Sequence, residues 1–144
     1  MGRYSSGMTA AGAGGATLPI LGILSTATVS PVLREVGLFN TTNTECVYRL
    51  VQFTIGTAGA AQVERKHRRN APPALATVFG LWTAAATIGE DTGYRIYCGA
   101  AKGSGAVLTF GDEGLEGDLG ATSGLGLVPV GTGQVCEVYF VWDE

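Results

Sequence analysis

Between Leu18 and Trp142 the apolar residues come in eight short runs, each closed by Gly, Pro, Asn, Thr or Asp. None continues with the three-to-four-residue spacing of an amphipathic helix, and several alternate with period two, as half-buried strands do. The expected strands lie in Leu18–Leu24, Val29–Phe39, Cys46–Ile55, Leu75–Ala85, Tyr94–Cys98, Ala106–Phe110, Leu125–Val130 and Val135–Trp142. Pro19 marks the first as an edge strand, and Pro31 starts the second strand after it, with Val32, Val36, Leu38 and Arg34 on one face. Cys46–Ile55, apolar on both faces except Arg49, Gln52 and Thr54, suits a central position. In the last run Cys136, Val138, Phe140 and Trp142 point one way, and Val135, Glu137, Tyr139 and Val141 the other. Thr87–Gly93 reads as a turn and Gly111–Gly124 as an acidic, Gly-rich connection. Eight strands at this spacing predict an all-β, eight-stranded antiparallel sandwich, with a jelly-roll order as first expectation.

Residues 1–17 (MGRYSSGMTAAGAGGAT) precede the first run. Gly and Ala bury too little apolar area to offset the entropy of ordering, so this stretch reads as a flexible arm, and 18–144 as the sandwich domain. Tyr4 and Met8, with Arg3 beside them, are the sticky points on that tether. Two readings stay open for it, a disordered tail or a segment that orders on a neighbouring subunit.

Composition narrows the function classes. The chain has 144 residues, 46% of them hydrophobic and 15% charged, against a usual charged share of about 25%. So few charges imply that Gly, Ser and Thr cover the surface or that another protein does, which points to a homo-oligomer, with a trimer as the expectation. A net charge of −3 offers no general attraction for nucleic acid. The most apolar stretch, Leu18–Leu33, is interrupted by Pro19, Gly22 and Pro31 and is too short to span a bilayer. No membrane and no nucleic acid are therefore expected as partners. Cys46, Cys98 and Cys136 sit inside strand runs without metal-ligand spacing and read as small buried hydrophobes.

Candidate chemistry is sparse. His67 is the only histidine and stands among Arg65, Lys66, Arg68 and Arg69 in the longest stretch without strand character, Gly56–Pro73. General-base catalysis needs a fixed position, so no catalytic residue is assigned and the chain reads as a non-enzyme. Asp112, Glu113, Glu116 and Asp118 do not follow a calcium-loop pattern, and neither a metal nor a cofactor is expected. The glycines of Ala11–Ala16 lack the strand, the helix and the Lys-Ser/Thr pair of a phosphate loop. The run of Arg65, Lys66, Arg68 and Arg69 is a solvated loop or a contact for an acidic protein. Nucleic-acid readers interleave aromatics, and none lies between Phe53 and Phe79.

Five segments carry a resemblance: REVGLFNTT (Arg34–Thr42), NAPPALATVF (Asn70–Phe79), TFGDEGL (Thr109–Leu115), GLGLVPVGTGQ (Gly124–Gln134) and VYFVWDE (Val138–Glu144). Together they resemble small virion-associated proteins encoded by tailed phages of actinobacteria. The resemblance implies a virion structural protein assembled in the host bacterial cytoplasm. Within that class, size and β content suit a head decoration (cement) protein bound to the major capsid protein on the capsid surface. A neck, tail or fibre-base component, or a jelly-roll module stacking host glycans on Trp82, Trp142 or Tyr97, remain as alternatives.

Overall fold

The computed structural model describes residues 2–10, 12 and 14–144. Its strands are β1 (Arg3–Thr9), β2 (Leu21–Leu24), β3 (Val32–Asn40), β4 (Cys46–Thr54), β5 (Arg65–Lys66), β6 (Thr77–Gly80), β7 (Thr87–Cys98), β8 (Gly105–Thr109), β9 (Leu115–Glu116), β10 (Ser123–Pro129) and β11 (Cys136–Asp143). No helix occurs among the described residues.

The strands form two antiparallel sheets in a sandwich-like arrangement. The first runs β5-β1-β11-β3-β8, with β9 also paired to β3, and the second runs β6-β2-β10-β4-β7. Period-two alternation sends one set of side chains from each sheet inward. From β11 these are Cys136, Val138, Phe140 and Trp142, and β4 adds Cys46, Tyr48 and Leu50. A second, smaller cluster of Phe53, Trp82 and Ala86 lies on the outer side of the second sheet. It forms because Gly22 has no side chain: a Cβ there would lie 2.6 Å from the Trp82 ring. Trp82 therefore reaches the backbone, and Phe53 meets it edge-on at 5.0 Å. The strand expected over Leu75–Ala85 accordingly stops at Gly80, and the chain then folds across the outside of the sheet.

Three further expectations are corrected. Arg3–Thr9 is not a free arm but strand β1, paired residue for residue with β11 from Arg3↔Asp143 to Thr9↔Glu137. Composition hid it because its inward positions are Tyr4, Ser6 and Met8, of which only two are apolar. Ser6 is nonetheless buried, its hydroxyl donating to the Val63 carbonyl at 2.9 Å, and Tyr4 stacks on Trp142 with centroids 5.7 Å apart. Met1, Ala11 and Ala13 of the expected arm lie outside the described residues.

In β3 the expected face is wrong. Opposite it on β11, Val141 pairs with Glu35 but Trp142 pairs with Leu33, so Arg34 is the extra residue of a β-bulge. Leu33 rather than Val32 thus joins Val36 and Leu38 inside, while Arg34 and Glu35 both turn outward. Finally, Thr87–Gly93 is the first half of the long strand β7. Its polar residues and Gly93 (φ 84°) imitate a turn, while two register irregularities against β4 absorb the misfit.

Candidate functional site: the basic edge of the first sheet

Two groups of residues far apart in sequence meet at one edge. β5 pairs with β1 in the register Tyr4↔Lys66 and Ser5↔Arg65, and the His67 amide donates to the Arg3 carbonyl at 2.9 Å. The pairing sets Arg3 beside Arg65, Lys66, His67, Arg68 and Arg69, all of them exposed. The loop behind them is anchored rather than free. Tyr4 Oη donates to the Pro72 carbonyl and Lys66 Nζ to the Ala71 carbonyl, each at 2.9 Å. The Glu144 carboxylate accepts from the amides of Leu75 and Ala76 at 2.6 and 2.9 Å, and Glu64 accepts from the Ala74 amide at 3.1 Å.

The outer face of the first sheet continues from this edge as a shallow polar groove. Three adjoining depressions, of about 490, 620 and 550 Å³, all share His67. At its floor Asp143, only 6% exposed, binds two guanidinium groups. Arg3 donates through Nε and Nη2 at 2.7 and 2.9 Å, and Arg34 through Nε at 2.7 Å. The hydrogen bond from Arg3 is the main reason the Asp143 carboxyl is held below its ordinary range, with Arg34 adding to it against the opposing effect of burial. Arg34 also donates to the carbonyls of Gly111 and Asp112, a reach that the bulge makes possible.

Farther along, the Tyr139 ring lies over Gly37, where a Cβ would come within 2.1 Å of it. Its hydroxyl donates to Glu35 Oε1 at 2.5 Å, and burial, followed by this contact with a carboxylate, pushes the phenol up to about 12.

The electrostatic outcome is specific. Four carboxylates near the edge are engaged, Asp143 by two arginines, Glu35 by Tyr139, and Glu64 and Glu144 by backbone amides, while Asp112 at the far side of the groove makes no ion pair among the described residues. Arg65, Arg68 and Arg69 make no ion pair among the described residues. In a chain of net charge −3, positive charge is thus concentrated on one rim and left facing solvent. Such a rim suits an acidic protein surface, with an on-rate that falls as salt rises.

Of the residues singled out from the sequence, Arg3, Arg65, Lys66, Arg68 and Arg69 come together here. Tyr4 does not join them as an accessible contact, since it is 1% exposed inside the core. Met8 is half-buried, packed close to Gly80 of β6. Sequence reasoning missed Arg34, Glu35, Tyr139 and Asp143, because only the bulge and the β1–β11 register bring them to one groove. Asp143 follows the inward Trp142 and so falls on the outward set of β11 with Tyr139 and Val141, where alternation gives no sign that it is buried.

No protein-family model, curated protein or solved structure matches this chain.

Elsewhere the reactive groups are shielded. All three cysteines are buried and free. Desolvation pushes the Cys98 and Cys136 thiols up to about 12, and that of Cys46 up as well, which keeps them protonated at neutral pH. Among the described residues no three His, Cys, Asp or Glu side chains are grouped as metal ligands.

Proposed function

We propose that this chain is a virion structural protein of a tailed phage, a decoration (cement) protein that binds the major capsid protein on the capsid surface after synthesis in the bacterial host. The observation that carries this reading is the cationic rim of Arg65, Arg68 and Arg69 beside Arg3, with Asp143, Glu35, Glu64 and Glu144 already engaged and its charge turned outward. A capsid lattice repeats one surface many times. An oligomer with a modest charged contact on each subunit gains avidity on such a lattice. Binding the assembled shell in preference to free subunits then stabilises the shell by mass action.

Two other lines support the reading. Leaving aside the short β5, β6 and β9, the strand order is β1-β11-β3-β8 over β2-β10-β4-β7. That order supports a jelly-roll reading, an architecture used by viral capsid and lectin domains. The five segments that resemble phage virion proteins lie on β3, β6, β8, β10 and β11 and their flanks. A neck, tail or fibre-base position would use the same rim and differs in copy number. The glycan-module reading loses two of its three stacking residues, because Trp82 and Trp142 are buried and Tyr97 alone is exposed, at 71%.

The test is to count the protein in purified phage particles and then to load particles with R65E/R68E/R69E. Hundreds of copies on the head, with occupancy by the variant reduced most at low salt, are expected. Absence from particles, or undiminished occupancy by a correctly folded variant, overturns the proposal.

A further inference from the structure

We propose that β8 is the docking edge for β8 of a second copy of this chain, joining two first sheets into one continuous antiparallel sheet about a two-fold axis at Val107. The sandwich has four outer strands, and three are guarded. β5 carries Arg65 and Lys66, cations that discourage edge-to-edge pairing. β6 is covered by the preceding chain: the Gln62 amide donates to the Val78 carbonyl at 2.8 Å, and the Gly80 amide to the Ala60 carbonyl at 2.9 Å. β7 bears Glu90, Asp91 and Arg95 and is broken by register irregularities. β8, Gly-Ala-Val-Leu-Thr, has no charge, no proline and no covering segment.

The ladder determines which of its backbone groups are free. The Asn40 amide donates to the Ser104 carbonyl and the Phe110 amide to the Arg34 carbonyl, so even-numbered residues of this strand face β3. By the alternation of antiparallel bonding, the N–H and C=O groups of Gly105, Val107 and Thr109 then point away from it. Among the described residues none of the three finds another backbone partner. Ala106 and Leu108 pack on the core, while Val107 is 44% exposed. The free edge is therefore already ordered for pairing.

Charge selects a second copy as the occupant. An antiparallel pair centred on Val107 sets Gly105 against Thr109 of the other copy, and it brings the turn closed by the Ser104 amide on the Ala101 carbonyl, which carries Lys102, to the end of the pair where the partner's turn closed by Gly114 on Gly111 carries Asp112, twice by symmetry. Both side chains are exposed and neither makes an ion pair among the described residues. An unrelated strand has no reason to carry this complement. The arrangement is two-fold, so it gives a dimer where composition alone suggested a trimer, and it stands whether or not the protein decorates a capsid.

Sedimentation equilibrium of the full chain tests it, with thermal unfolding as a check on folding. The wild-type protein is expected at twice its 14.8 kDa mass at micromolar concentration, and V107K at the monomer mass with its fold intact. K102E weakens the dimer roughly three- to tenfold, and the swap K102E/D112K restores it to within about twofold. The amides of Gly105, Val107 and Thr109 exchange slowly in the dimer and freely in V107K. A monomer or trimer of the wild-type chain, a dimer that V107K leaves unchanged, or a charge swap that restores nothing overturns the proposal.

Discussion

Ile55 follows β4 with φ of 63° while 66% of its surface is exposed. A β-branched side chain in the left-handed region crowds its own backbone, which costs on the order of 1–2 kcal/mol. Exposure leaves little burial to set against that cost. Its amide is held by the Thr122 carbonyl at 3.0 Å, and Gly56 follows at φ 86°, so the turn is imposed by its neighbours. Replacing Ile55 with Asn, which tolerates this conformation, is expected to stabilise the protein by about 1 kcal/mol, read as a higher urea midpoint. An unchanged or lower midpoint would mean that Ile55 contributes packing its exposure does not reveal. The same scale explains what the sequence concealed about the groove. Alternation along β3 seats Arg34 on an inner face, and only the bulge opposite Val141 and Trp142 turns it toward Asp143.

At the scale of elements, β1 is an interior strand of its sheet, between β5 and β11. Arg3, Arg65 and Lys66 meet because of it, so the candidate site and the fold depend on the same seven residues. The stretch looks disposable by composition, yet Tyr4 fills core beside Trp142 and holds the Pro72 carbonyl. Tyr4→Ala is expected to lower stability by about 3–5 kcal/mol, as other aromatic truncations in cores do. Removal of residues 1–9 should abolish cooperative unfolding, because the hydrogen-bonding edge and inner face of β11 lose their cover together. Denaturant titration with near-ultraviolet circular dichroism checks both. A truncated chain with the wild-type midpoint would show that the sandwich closes without β1.

At the scale of the whole molecule, each sheet carries on its outer side one carboxylate held down by arginine. On the first sheet this is Asp143, with Arg3 and Arg34. On the second it is Asp91, lowered from 3.8 to about 2, chiefly by its hydrogen bond from Arg95 and then by the Gly93 amide. Both groups bind protons more weakly in the folded chain than in the unfolded one. Their stabilisation is therefore present above the ordinary aspartate range and is lost as pH falls below it, for Asp91 as pH falls toward about 2. Unfolding free energy measured from pH 6 to 2 should fall through that window. In D91N/D143N the fall should be shallower and the plateau at pH 6 lower; an identical profile would remove both pairs from the account. How much of this was legible follows from the range of the interactions involved. Period-two alternation and turn residues are local, and from the sequence alone they determined an all-β sandwich, eight of its strands, the set of β11 side chains that share a face, and the run of cations at 65–69. Strand pairing is not local. Arg3 and Asp143 stand at opposite ends of the chain and are register partners, and the bulge at Arg34 exists only relative to β11. Tertiary structure alone decided that a Gly- and Ser-rich segment is a core strand, that the cations share one rim with Arg3, and that β8 keeps an unguarded edge, because hydrogen bonds between distant strands depend on which backbones lie side by side and leave no periodic trace in either one.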